Sequence, residues 1–147
     1  MPKRYTYRKA TAEELASGST EMILISEDYV DDFQSLEEAI NFKKDQIDKR
    51  TQELIFKGFS FAGLHWSLSI NAQINWGNLP QLPQGAFPLP IQDVNGNDYN
   101  LQYADRLNFY YAAVGAKNTH LQSGSVLKRE VSDMQTIQDV LNFQDPR

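Results

Sequence analysis

From Gly58 to Ala104, 47 consecutive residues carry two charged side chains, Asp93 and Asp98. The flanks differ sharply. Residues 1–10 hold four bases (Lys3, Arg4, Arg8, Lys9) and no acid, while Thr11 to Phe42 hold nine acids and no Lys or Arg. A stretch so poor in charge, yet rich in Asn, Gln and aromatic residues, is either the core of the domain or a surface that packs against neighbours. It offers no basic stripe for nucleic acid, and a net charge of −5 points the same way. The basic start is read as a solvated arm, and the acidic stretch from Glu13 to Glu38 as a solvated face, with docking of a basic partner as its alternative.

Around this stretch the pattern changes period. Ser35 followed by Glu38 is a capping box, and it opens a helix that runs to about Lys57 and stops at Gly58. Phe33, Ile40, Ile47 and Leu54 recur every seven residues and, with Leu36, form its expected buried stripe. The other heptad positions are Lys43, Arg50 and Lys57, which argues against an autonomous coiled coil. Asp45, Lys49, Glu53 and Lys57 form a charged ladder that marks the solvent face.

After Gly58 the spacing alternates. Phe59–Phe61 and Leu64–Ser67 read as a tight hairpin turning at Ala62-Gly63. Ser69 caps a short helix, Ile70 to Trp76, closed by Gly77. Four prolines between Leu79 and Pro90 imply an extended loop in its first half. A second hairpin turns at Val94-Asn95-Gly96 with Gly96 left-handed, pairing Ile91 with Tyr99, Leu89 with Leu101 and Phe87 with Tyr103 on one face. Pro88 and Pro90 then fall on the opposite face, which implies an edge strand.

The remainder reads as helical. Tyr103, Leu107, Tyr110, Tyr111 and Val114 form an inward stripe ending near Gly115, followed by a segment around Val126 to Val131. A last helix from Asp133 to about Asn142 turns Met134, Ile137, Val140 and Leu141 inward. The first twenty residues lack periodicity, turn at Ser17-Gly18-Ser19 and form an irregular arm before a short strand at Met22–Ile25. The expected fold class is α+β: a long N-terminal helix, two small β-hairpins, a short helix and C-terminal helices. Residues 1–34 are the arm and strand, and 35–147 a single domain. At 147 residues, burial of about 70% of the unfolded surface allows a core without disulfides or metal.

The chemical inventory is thin. Cysteine is absent, which removes thiolate metal sites and cysteine nucleophiles. His65 and His120 are 55 residues apart on different elements, and no zinc-protease, phosphate-loop or serine-elbow motif occurs. The run Asp93-Val94-Asn95-Gly96-Asn97-Asp98 resembles the start of a calcium loop, but its sixth position is Asp98 rather than Gly and its twelfth is Ala104 rather than Glu. A polar hairpin turn accounts for it, and for the same two aspartates taken as a glycosidase pair. Trp66 and Trp76 are read as core residues, with stacking on sugars as the alternative. No catalytic, cofactor-binding or metal-binding residue is assigned, and no enzymatic activity is expected. No run of about 20 apolar residues suggests a membrane partner, and no signal peptide opens the chain, so cytoplasmic synthesis is expected.

The runs Ile47-Asp48-Lys49-Arg50, Gly58-Phe59-Ser60-Phe61-Ala62-Gly63, Leu64-His65-Trp66-Ser67 and Gln73-Ile74-Asn75-Trp76-Gly77 follow one another in an order that resembles a known family. It is a domain of unknown function found in tail-fibre, tail-assembly and hypothetical proteins of caudate phages and prophages. The resemblance covers about the last 105 residues and departs at the second hairpin, where members often carry a tryptophan and this chain has Phe87. It implies a virion structural protein of a tail, baseplate or fibre-attachment site, made in the host cytoplasm, oligomeric in the assembly and partnered by other tail or baseplate proteins. A tail-fibre assembly chaperone and a glycan receptor-binding module, using Trp66, Trp76 or the tyrosines near 110, are the alternatives. The family brings no established catalytic residues, so none are carried over.

Overall fold

The computed structural model describes residues 7–9, 22–24 and 33–147. The turn at Ser17-Gly18-Ser19, Ile25 at the end of the expected strand, and the acids from Glu13 to Asp32 lie outside the described residues. The architecture is α+β. A strand at Tyr7–Lys9 (β1), inside the stretch that lacks periodicity, pairs antiparallel with Met22–Leu24 (β2).

Helix α1 spans Leu36–Phe56. Its capping box forms: the Glu38 N–H donates to Ser35 Oγ (3.1 Å), while the Glu38 carboxylate reaches back to the Gln34 N–H (3.0 Å). The buried line differs from the seven-residue stripe. Ala39, Ile47, Thr51 and Ile55 are buried, whereas Phe33, Leu36, Ile40 and Leu54 are only half-buried. Burial follows rows of four residues, the ridge along which helices interdigitate, and small Ala39 and Thr51 serve it as well as large side chains. Thr51 is tolerated because its hydroxyl donates to the Ile47 carbonyl (2.9 Å). The charged ladder from Asp45 to Lys57 is exposed, as its spacing implied.

Strands β3 (Phe59–Phe61) and β4 (Leu64–Trp66) pair Phe59 with Trp66 and Phe61 with Leu64. Their two-residue turn has positive φ at both positions, 55° at Ala62 and 75° at Gly63, the combination that matches strand twist. Helix α2 spans Ile70–Gly77; Ser69 Oγ accepts from the Ala72 N–H (3.2 Å), and Asn78, not Gly77, is its C-cap. The proline-rich stretch that follows is extended only in part: Pro80 lies in a 3-10 turn, Leu79–Gln81, Leu82 and Pro83 are extended, and a second 3-10 turn spans Gln84–Ala86, because proline's fixed φ suits either conformation.

Strands β5 (Leu89–Gln92) and β6 (Asp98–Leu101) take the expected register, Leu89 with Leu101 and Ile91 with Tyr99. Gly96 sits at φ +81°, and Phe87 meets Tyr103 beyond the ladder with ring centroids 5.5 Å apart. The Asp93 N–H donates to the Asn97 carbonyl (3.0 Å), so the alternation of an antiparallel ladder makes Ile91–Tyr99 and Leu89–Leu101 the bonded pairs. Pro88 and Pro90 therefore occupy places where the backbone faces away from β6 and no N–H is needed.

Helix α3 runs unbroken from Arg106 to Ser132. The stop expected near Gly115 does not occur. Gly115 and Gly124 stay in right-handed backbone, and a mid-helix glycine costs only about 1 kcal/mol. Its core face is Phe109 and Ala113, flanked by Ala112 and Ala116. Of the expected stripe, Tyr103, Leu107, Tyr110 and Val114 are only half-buried and Tyr111 is 61% exposed, since at 3.6 residues per turn Leu107, Tyr110, Tyr111 and Val114 are turned away from the Phe109 face. Tyrosine keeps its hydroxyl wet, while alanines let the helix approach its neighbours. Helix α4 (Ile137–Asn142) is capped by Thr136, with Val140 buried and Met134, Ile137 and Leu141 half-buried.

The chain divides into two compact units, one of residues up to Gln46 with Leu127–Arg147, the other Ile47–Val126. In the first, Ala39, Val131 and Val140 are fully buried, and the rings of Phe33 and Phe42 meet at 5.1 Å. The second holds an aromatic core centred on Phe109, whose ring lies edge-on to Phe59 (5.3 Å), Phe61 (5.1 Å), Trp66 (5.1 Å) and Trp76 (4.8 Å).

Candidate functional site

The two histidines lie on different elements. His65 lies on β4, where its Nε2–H donates to the Lys57 carbonyl at the end of α1, while His120 lies within α3. The first is a helix-closing contact, since the last carbonyls of a helix lack intrahelical donors. Among the described residues no group of three His, Asp or Glu is placed to hold a metal ion.

Asp93 turns its carboxylate into its own loop. Oδ1 accepts from the Asn95 N–H (2.9 Å) and the Asn97 N–H (2.7 Å), and Oδ2 accepts from the Asn97 side-chain amide (2.9 Å). The bond from the Asn97 side chain and those from the loop backbone hold its carboxyl below the ordinary 3.8, against a smaller opposing effect of burial. The loop is tied down in turn, because the Val94 N–H donates to the His65 carbonyl (3.0 Å). Asp98 remains exposed and accepts from Gln92 Nε2 (2.8 Å). The calcium-like run is thus a hairpin turn whose first carboxylate is engaged by its own chain.

This arrangement has a pH signature. Between its folded value and 3.8 the folded Asp93 binds fewer protons than the unfolded one. Its stabilising contribution is therefore complete above pH 3.8 and lost as pH falls through the folded value. In urea denaturation across pH 2–7, Asp93→Asn is expected to be less stable than the parent by a constant margin above pH 4, narrowing below it. A margin unchanged down to pH 2 would show that the carboxylate's charge plays no part.

Lys43 on α1 is half-buried, and burial lowers its pKa from the usual 10.5. Its ammonium donates to the Phe143 carbonyl (3.0 Å), just beyond the end of α4, which is a structural duty.

Trp66 is wholly buried and Trp76 is 9% exposed; their indole N–H groups donate to the Phe61 (3.0 Å) and Ser67 (2.8 Å) carbonyls. Both are core residues. Of the aromatic groups considered for sugar stacking, Tyr110 and Tyr111 are left. Of the acids in the expected docking face, Glu37 is exposed and Glu38 is engaged in the helix cap.

The surface feature that does stand out belongs to α2. With Ala72 and Trp76 turned inward, its outer side carries Ile70 and Ile74, each 58% exposed, and beside them Asn71, Asn75 and Asn78. No charged residue lies on this helix. The asparagines form one wall of an open groove of about 620 Å³, floored by Trp76, Leu79 and Leu82 and bounded by Leu89, Ile91 and Gln92 of β5. The spacing of Asn71, Asn75 and Asn78 was visible in the sequence as one helical face; that β5 would supply the facing wall was not.

No family model, curated protein or solved structure matches the chain.

Proposed function

We propose that this chain is a structural component of a phage tail, baseplate or tail-fibre attachment site, acting by protein–protein contact with other tail or baseplate proteins and oligomeric in the assembly. The observation that carries the reading is the outer side of α2, where Ile70 and Ile74 are more than half exposed with no charge beside them on the helix. An isolated exposed isoleucine needs no explanation, but two on one face beside a charge-free groove make a patch of the kind that neighbours cover. Asp93 is engaged in its own loop, so Asp98 is the one exposed carboxylate between Gly58 and Ala104. The phage assignment comes from the resemblance carried by the runs between Ile47 and Gly77 described above. The reading assigns the chain no reaction of its own and no nucleic-acid or membrane partner; no helix among the described residues is long and apolar enough to cross a membrane.

Quantitative mass spectrometry of purified phage particles tests it. Stoichiometric recovery in intact tails is expected, and the copy number would separate fibre from baseplate. Reproducible absence from tails, despite expression in infected cells, would sink the proposal and favour an assembly chaperone.

A further inference from the structure

The groove beside α2 combines two chemistries: free primary amides on one wall and aliphatic side chains beneath and opposite. Asn71 and Asn75 lie on one helical face, about 6 Å apart along the axis at 1.5 Å per residue. Asn78 adds a third amide beyond them. All three residues are exposed, and their side chains make no hydrogen bond with another described residue. A primary amide presents donor and acceptor side by side, matching the N–H and C=O of a peptide backbone. An extended chain offers such groups on one side at every second residue, about 6.6 Å apart. The separation of Asn71 and Asn75 is close to that repeat.

The rest of the lining narrows the occupant. Leu79, Leu82, Leu89 and Ile91 suit aliphatic side chains, and no charged residue lines the groove, so a charged segment would lose hydration without gaining a partner. Addition of a strand to the free edge of β5 is disfavoured by Pro88 and Pro90, which remove donors from that edge. Trp76 is too enclosed by the core to offer its face to a sugar ring. We infer that the groove holds an extended, uncharged segment of a partner protein with aliphatic side chains at alternate positions, its backbone read by Asn71 and Asn75. The inference rests on the assembly reading and names the chemistry of the contact.

The test follows the side-chain amide signals of Asn71 and Asn75 in nitrogen-15 NMR spectra. The probes are an array of ten-residue uncharged peptides with Leu, Ile or Val at alternate positions, each with a twin N-methylated at the intervening peptide bonds. Saturable shifts of both amides are expected, with affinity reduced at least tenfold in the twins. The Asn71→Ala/Asn75→Ala variant should show the same tenfold loss at an unchanged thermal midpoint, since neither amide supports the fold. Absence of saturable shifts across the array, or equal binding of the twins, overturns the inference. Shifts with chitotriose and none with peptides would overturn it in favour of a saccharide. Peptide binding by a chain absent from tails would remove the assembly reading alone; presence in tails without peptide binding would remove the inference alone.

Discussion

Gly58→Ala is expected to lose at least about 4 kcal/mol of stability in urea denaturation at pH 7, an effect at the extreme of single substitutions. Two causes add. Gly58 holds φ at +85°, where a residue with a side chain carries strain of about 1–3 kcal/mol. A Cβ placed there would also stand 2.0 Å from the Trp66 carbonyl oxygen and 3.0 Å from His65 Nε2. The oxygen belongs to backbone and cannot swing aside, so either the end of α1 or strand β4 must move. Such a shift would also disturb the His65 contact to the Lys57 carbonyl. Gly63→Ala is the control. It shares a positive φ of 75° but faces open space, so it should cost only about 1–2 kcal/mol. If the two substitutions proved equally mild, the close passage of α1's end against β4 would be disproved.

Phe109→Ala is expected to lose about 3–5 kcal/mol, the range for deleting a large aromatic side chain from a core. Phe109 is fully buried, and its ring touches both strands of the first hairpin and Trp76 of α2. Truncation would open a void bordered by four aromatic rings, too rigid and too interlocked to close over it. Both tryptophans border that void, so their emission should shift along with the loss of stability. A cost below about 1.5 kcal/mol, typical of sites that repack well, would mean that these rings do not form one cluster.

Much of the local structure was legible because it depends on neighbours in the chain. Ser35 and Glu38 announce a helix start through bonds that span three or four residues. Gly58 announces its end, and side-chain alternation around Val94-Asn95-Gly96 admits only one register that puts Leu89, Ile91, Tyr99 and Leu101 together. What escaped depends on partners distant in sequence. On α1 the seven-residue spacing of large apolar groups passed over Ala39 and Thr51, which are buried because they are small enough for close approach. On α3 a stripe anchored on Leu107 and the tyrosines omitted Phe109, the centre of the larger unit's core, because only the hairpin and α2 packed against it show which face is inward. The proline run from Leu79 to Pro90 fixed φ without fixing ψ, so an extended reading and a 3-10 reading fitted equally well. The groove escaped for the same reason: its asparagine wall is periodic in the sequence, but its facing wall comes from β5, on the far side of the proline-rich stretch, and no local signal pairs the two.

The engagement of Asp93 by its own loop has a bearing on association kinetics. With that carboxylate held inward, a partner approaching the Gly58–Ala104 surface meets little fixed charge. Long-range attraction would contribute little, so encounter should proceed at the unsteered rate of about 10⁵–10⁶ M⁻¹s⁻¹. Dissolved ions, which screen exposed charges beyond a Debye length of about 8 Å at physiological ionic strength, would have little to screen. A contact built on this surface would form without haste and persist through wide changes in salinity.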